Sequence, residues 1–188
     1  MNMKKNFAVS VVVAILFISM GNVANAQFYA GANVGLINYF DEGLDNYRTQ
    51  FGASAAGMYF VNDQFAFEGN MGYFFKSKKE SLLSITTTVS SLLLNANGKF
   101  MLSDGDNPFY LCSDLGINNF KITLKTDVDK TSSSFTFFGI APGAGVLIGK
   151  DNDVSFRVEA KYHIYFENND YGNGLNGLSV VAGVYKKF

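Results

Sequence analysis

Tryptophan is absent from this 188-residue chain, cysteine and histidine occur once each, and proline occurs only twice. A lone Cys112 in mid-chain forms no internal disulfide and is not the lipid-bearing first residue of a lipoprotein. It falls in step with Tyr110 and Asp114 and reads as a small buried side chain. Charge is also scarce, at 16% of residues, and 15 basic residues stand against 16 acidic ones. That balance provides no basic field for a nucleic-acid backbone. Beyond residue 26 no apolar run approaches the ~20 residues a membrane-crossing helix requires. What the chain does have is 48% hydrophobic residues, which excludes disorder, together with 15% aromatics and 19 Gly. This mixture favours strands joined by tight turns over packed helices.

Lys4 and Lys5 lead into an apolar run from Phe7 to Met20, and Ala24-Asn25-Ala26 follows with small residues where a signal peptidase reads. The run is too short to span a bilayer. Residues 1–26 are therefore expected to be a cleaved secretory signal peptide, and residues 27–188 the mature domain.

From Gln27 onward the hydrophobicity alternates with period two, the mark of strands with chemically different faces. The contrast is sharpest over 154–166, where Val154, Phe156, Val158, Ala160, Tyr162, Ile164 and Phe166 oppose Ser155, Arg157, Glu159, Lys161, His163 and Tyr165. Phe65, Phe67, Met71, Tyr73 and Phe75 likewise oppose Ala66, Glu68, Asn70 and Gly72. Small residues over 52–56 leave the facing of the second segment ambiguous. Eight such segments follow one another. Short turns at 62–64, 103–107 and 150–153 alternate with longer connections at 38–49, 76–84, 125–134 and 167–174. An eight-stranded antiparallel up-and-down β-barrel produces this alternation. Pro142 lacks an amide hydrogen where a closed barrel has no free edge, so a bulge or local distortion is expected there.

Two barrels share this periodicity, a soluble one with the apolar face inside and a transmembrane one with it outside. Charge decides between them. The apolar face carries no charged residue before Lys186, whereas the opposite face holds Glu68, Lys99, Asp114, Arg157, Glu159 and Lys161. Aromatics gather at strand ends, with Phe28, Tyr59, Phe60, Phe65, Phe100, Phe109 and Tyr185 towards the short turns. Tyr73, Phe75, Phe137, Phe138, Tyr165 and Phe166 lie towards the long connections. Two belts suit the two interfaces of a bilayer. The alternative is a soluble lipocalin-like periplasmic barrel binding a small apolar ligand, but the Gly-x-Trp motif usual in that family's first strand is missing from Gly31–Leu36.

On these features the chain resembles the eight-stranded outer-membrane β-barrel proteins of Gram-negative bacteria, the OmpA/OmpX-like porin-superfamily barrels, over residues 27–188. Its final residues, Gly183-Val184-Tyr185-Lys186-Lys187-Phe188, are similar to the signal read by the barrel-assembly machinery, with Gly183, Tyr185 and Phe188 in place and Lys186 departing from the pattern. The resemblance implies residence in the cell outer membrane among lipid and lipopolysaccharide, contact with that machinery during biogenesis, and a structural, adhesive, protective or small-porin role.

A lumen this narrow is filled by side chains, so the six charges are expected to pair into a polar plug, with a gated pathway for small ions as the alternative. The fourth to sixth strands look longer than a bilayer needs, and a projecting sheet offers edges for strand pairing with an extracellular protein. Lys76, Lys78 and Lys79 cluster in one long connection, where they could pair with phosphates of neighbouring lipopolysaccharide. Acidic residues in the long connections, among them Asp41, Glu42, Asp45, Asp127, Asp129, Glu167 and Asp170, lack the spacing of a calcium loop, and no metal or cofactor is assigned. A lipid-A-modifying enzyme would have to use His163, but Ile164 and Tyr165 follow it where the deacylases have His-x-Ser. Catalysis is not expected.

Overall fold

The structure, a computed structural model, describes residues 27–40, 49–80, 86–126, 129–166 and 175–188, excepting the side chains of 76–80. The expected signal peptide, the acidic residues of 41–48, 127 and 167–174, and the side chains of Lys76, Lys78 and Lys79 lie outside the described residues. Eight strands follow in chain order: β1 (Gln27–Tyr39), β2 (Thr49–Phe60), β3 (Phe65–Glu80), β4 (Thr86–Met101), β5 (Phe109–Lys125), β6 (Lys130–Ile148), β7 (Val154–Tyr165) and β8 (Leu175–Lys187). Each pairs antiparallel with its neighbour, and β1 with β8, so the sheet closes into a barrel.

The facing follows the alternation. Phe156 and Val158 point outward while Arg157 and Glu159, which alternate with them, are buried, so the apolar stripe is the outer wall. A soluble barrel with an apolar pocket has the opposite arrangement. The small residues of β2 also resolve, with Gly52 and Ala56 turned inward and Ala53 and Ala55 outward.

Several aromatics assigned to the outer belts face the interior instead. Phe60, Phe137, Tyr165 and Tyr185 are buried in the lumen, while Phe28, Phe65, Phe100, Phe109, Tyr73, Phe75, Phe138 and Phe166 are exposed on the wall. The inward rings build two apolar layers. One, at the short-turn end, contains Tyr29, Met58, Phe60, Met101, Tyr110, Leu147 and Tyr185. The other, at the opposite end, contains Ile37, Tyr39, Phe74, Leu93, Phe120, Phe137, Tyr165 and Leu175.

These rings fit because the paired position on the adjacent strand is a glycine. Gly31 is in register with Tyr185 and Gly139 with Tyr165, and a Cβ on either glycine would stand 2.6 Å from the tyrosine ring. Gly31→Leu must displace Tyr185. A stability loss of about 1–3 kcal/mol, read from the urea midpoint of refolded protein, is the expected result. An unchanged midpoint would mean that the ring has room to move.

The short turns are tied together. Tyr29 Oη donates to the Lys150 carbonyl at 2.7 Å, and the Lys150 ammonium, 3.5 Å from Asp63, lies 5.1 Å from the centre of the Phe60 ring. Gly105 and Gly149 supply the positive φ angles these turns need.

Of the bulge or local distortion expected at Pro142 the structure shows the distortion, and the bounds of two connections are corrected. At Pro142 the β5 pairing continues, and the β6–β7 ladder omits residues 141 and 142 but resumes in the same register, from Ile140↔Ile164 to Gly143↔Lys161. The missing amide interrupts the ladder without a bulge. The register shift lies elsewhere, in β3 between Phe74 and Ser77. In addition, 76–80 and 130–134, read as connections, are strand, and β3 joins β4–β6 among the long strands.

Those extensions reverse polarity. On the outer face Leu92, Ile117 and Phe138 give way to Ser90, which is itself buried, and to Asn119 and Thr136, and then to Thr88, Lys121, Thr123, Lys125 and Lys130. On the inward side Val89 and Phe120 are buried, with Ile122 and Phe135 packed against their layer. The switch marks the upper edge of the lipid. From Leu102 to Leu92 is ten residue steps, about 25 Å of height at ordinary strand rise and tilt, which matches an outer-membrane apolar band.

Candidate functional site: the ionic layer of the lumen

Between the two apolar layers, inward positions of β3, β4, β5 and β7 carry Glu68, Lys99, Asp114, Arg157, Glu159 and Lys161, all buried. Alternation puts each on the lumenal face. Barrel closure then brings β3 and β7 across from one another, although Glu68 and Arg157 are 89 residues apart. The Arg157 guanidinium pairs with Glu68 and donates to Asn33 Oδ1 at 2.9 Å. Lys99 Nζ donates to Glu159 Oε2 at 2.5 Å and lies 3.7 Å from Glu68. Lys161 Nζ donates to Asp114 Oδ2 at 2.9 Å. It also stands 2.5 Å from Glu159 Oε1, an ion contact without hydrogen-bond geometry.

Neutral groups complete the shell. Asn95 and Asn97 both donate to Asp114, Tyr110 Oη donates to Glu159 at 2.9 Å, and Tyr185 Oη donates to Asn33 at 2.9 Å. Rings of the short-turn layer also lie against the cations. Lys99 is 4.8 Å from the Tyr110 ring centre and Arg157 4.8 Å from that of Tyr185. Three positive and three negative groups leave the layer neutral, which is the condition for holding ions away from bulk water. The cavity beside them, reached by Asn33, Ser54, Asp114, Arg157 and His163, amounts to about 30 Å³, room for about one or two water molecules.

His163 sits above the ions. Its Nε2 is 2.8 Å from Ser179 Oγ on β8, and its Nδ1 is 3.2 Å from Tyr165 Oη. Ser179 supplies the hydroxyl that the residues after His163 do not, but neither imidazole nitrogen touches a carboxylate and both partners are buried. Cys112 faces the lumen and is buried. Of the assembly-signal residues, Tyr185 points inward into the ionic layer. Phe188 is exposed, and its amide donates to the Phe28 carbonyl at 2.9 Å.

Sequence reasoning identified the six charges but missed Asn33, Asn95, Asn97, Tyr110 and Tyr185. The signal was available, because all five fall in phase with the polar, inward-facing side of their strands.

The sequence profile described as "outer membrane protein beta-barrel domain" matches residues 10–188. The chain belongs to that family. This outer-membrane barrel accordingly resides in the cell outer membrane of a Gram-negative bacterium, in contact with its lipid and lipopolysaccharide. No curated protein matches the sequence. Among solved structures, Ail, the attachment invasion locus protein of Yersinia pestis in complex with the heparin analogue sucrose octasulfate, superposes with a TM-score of 0.62 at 15% identity, over 87% of this chain and 99% of its own. Neisserial surface protein A gives 0.63 at 18% identity, over 86% and 97%. A major outer membrane protein from Thermus thermophilus gives 0.67 at 12% identity, over 87% and 99%. At these identities the likeness is one of fold.

Proposed function

We propose that this protein is a plugged, non-conducting outer-membrane barrel with a structural and surface-interaction role. In this reading residues 1–26 are a signal peptide removed on secretion, and 27–188 are the mature barrel delivered to the assembly machinery through Gly183, Tyr185 and Phe188. The observation that carries the reading is the neutral six-charge layer of Glu68, Lys99, Asp114, Arg157, Glu159 and Lys161, roofed and floored by aromatic layers. An ion crossing it would have to break several short pairs at once, and the cavity beside those pairs measures only about 30 Å³.

The surface role draws on the projecting sheet. Beyond the last β7 pair, residues 130–134 of β6 pair with β5 and have no strand on their other edge among the described residues. Such an edge suits strand addition by an extracellular protein. The same fold serves Ail, a protein whose name is that of an attachment locus. His163 is read as a hydrogen-bonded wall residue, and no enzymatic role is proposed.

The test is conductance of purified protein in planar bilayers, with attachment of cells with and without the protein measured in parallel. The expected results are no steady nanosiemens steps and reduced attachment of the deleted strain. Steady steps would establish the small-porin alternative and sink the plug.

A further inference from the structure

The polarity reversal leaves a polar surface on the wall that faces the surrounding lipid, at the height where acyl chains end. Three rows of paired residues make it up, running across β4, β5 and β6: Ser90, Lys121 and Ser134; Thr88, Thr123 and Ser132; Thr86, Lys125 and Lys130. Thr86, Thr88, Ser90, Lys121, Thr123, Lys125, Lys130 and Ser132, with Tyr73 at the rim, enclose a recess of about 420 Å³. No acidic side chain lines it among the described residues, and none of the three lysines has an ion-pair partner among them. Lys125 and Lys130 are directly paired across neighbouring strands. Like charges in that position repel, and an anion between them removes the cost. The hydroxyls of Thr86 and Thr88 can donate to the same anion, and so can one hydroxyl of the Thr123–Ser132 pair, whose oxygens lie 3.0 Å apart and share one hydrogen bond.

We propose that this recess docks the phosphate groups of the outer-leaflet glycolipid, lipopolysaccharide. The choice of a lipid over a soluble anion follows from continuity. The apolar wall of Leu92, Ile117 and Phe138 lies directly below on the same face, so one amphiphile can place its chains on that wall and its phosphate among the lysines. A soluble anion would use only the upper half. Tyr73 and Phe75, in edge contact at 5.8 Å, flank the boundary as interfacial aromatics do.

The test uses the full-length mature protein folded in phosphatidylcholine vesicles and titrated with purified bisphosphorylated lipid A, its enzymatically dephosphorylated form, inorganic phosphate and heparin. The variants are the triple Lys121→Gln/Lys125→Gln/Lys130→Gln, the triple lysine-to-arginine control, and Lys186→Gln at the other membrane face. Removing the three lysines should weaken lipid A binding about a hundredfold, roughly fivefold for each, and the arginine control should retain it. Dephosphorylated lipid should bind the wild type about as weakly as the glutamine triple binds lipid A, and Lys186→Gln should change nothing. Equal binding of the phosphorylated and dephosphorylated lipids by the wild type would overturn the proposal, and this comparison needs no variant to fold. Equal affinity of the wild type and a folded glutamine triple would also overturn it. So would competition by inorganic phosphate or heparin as strong as that of lipid A, which would assign the recess to a free phosphate or to a sulfated polysaccharide.

Discussion

Arg157→Met is expected to destabilise the folded barrel by about 3–5 kcal/mol, the usual consequence of removing one member of a buried ionic group. Arg157 pairs with Glu68, lies 3.8 Å from Glu159 and donates to Asn33. Without it, three carboxylates face two ammonium groups in a space closed above and below by aromatic rings. Adding Glu68→Gln restores the balance, with Lys99 and Lys161 against Glu159 and Asp114. The double variant should therefore recover about 2 kcal/mol relative to the sum of the single effects. Urea midpoints in vesicles, followed by gel mobility with and without boiling, measure the cycle. The chain has no Trp, so emission from its ten Tyr residues is the available fluorescence probe. Additive single effects would mean that the two side chains act independently and that the ionic layer is not a unit.

The second large effect is expected from the outer aromatic layer. Phe120 projects from β5, with ring centres at 5.1 Å to Tyr39, 5.5 Å to Phe137 and 6.1 Å to Tyr165, all edge-on. Phe120→Ala removes the ring around which that layer is arranged, and leaves Tyr39 and Tyr165, which share the Asn118 amide at 3.3 and 3.1 Å, facing a void. A loss of about 3–5 kcal/mol is expected, from the transfer of the ring and the cavity it leaves. The urea midpoint should fall with the denaturant slope unchanged. A loss below about 1 kcal/mol would show that the layer closes over the gap or contributes little to stability.

Both predictions concern side chains whose partners lie far away in the chain, and there the limits of sequence reading become visible. Period two states which face a residue occupies, and that reading places Arg157, Glu159 and Lys161 inside with Phe156 and Val158 outside. It says nothing of height along the axis or of the opposite wall. Strand tilt and stagger set those, and they bring Glu68 beside Arg157 and Asp114 beside Lys161. Tyr165 and Tyr185 share the parity of the polar face, yet their positions at strand ends suggested belts facing lipid. Alternation was the better guide, because a side chain cannot leave its face without a register shift. The shift at Phe74/Ser77 has no proline to announce it, and Pro142 keeps its register because the ladder can omit two pairs and resume.

By itself the sequence determined the number of strands, their antiparallel order, the orientation of the apolar stripe and the membrane that suits it. All of these follow from local alternation and from the cost of placing charge against lipid. Only the tertiary structure decided how the ions pair, that aromatic layers enclose them above and below, and that the outer strands continue past the lipid with their polarity reversed. The physical reason is closure. Which residues meet across the axis depends on how far each strand slides before β8 reaches β1, and that slide belongs to the whole ring rather than to any one segment.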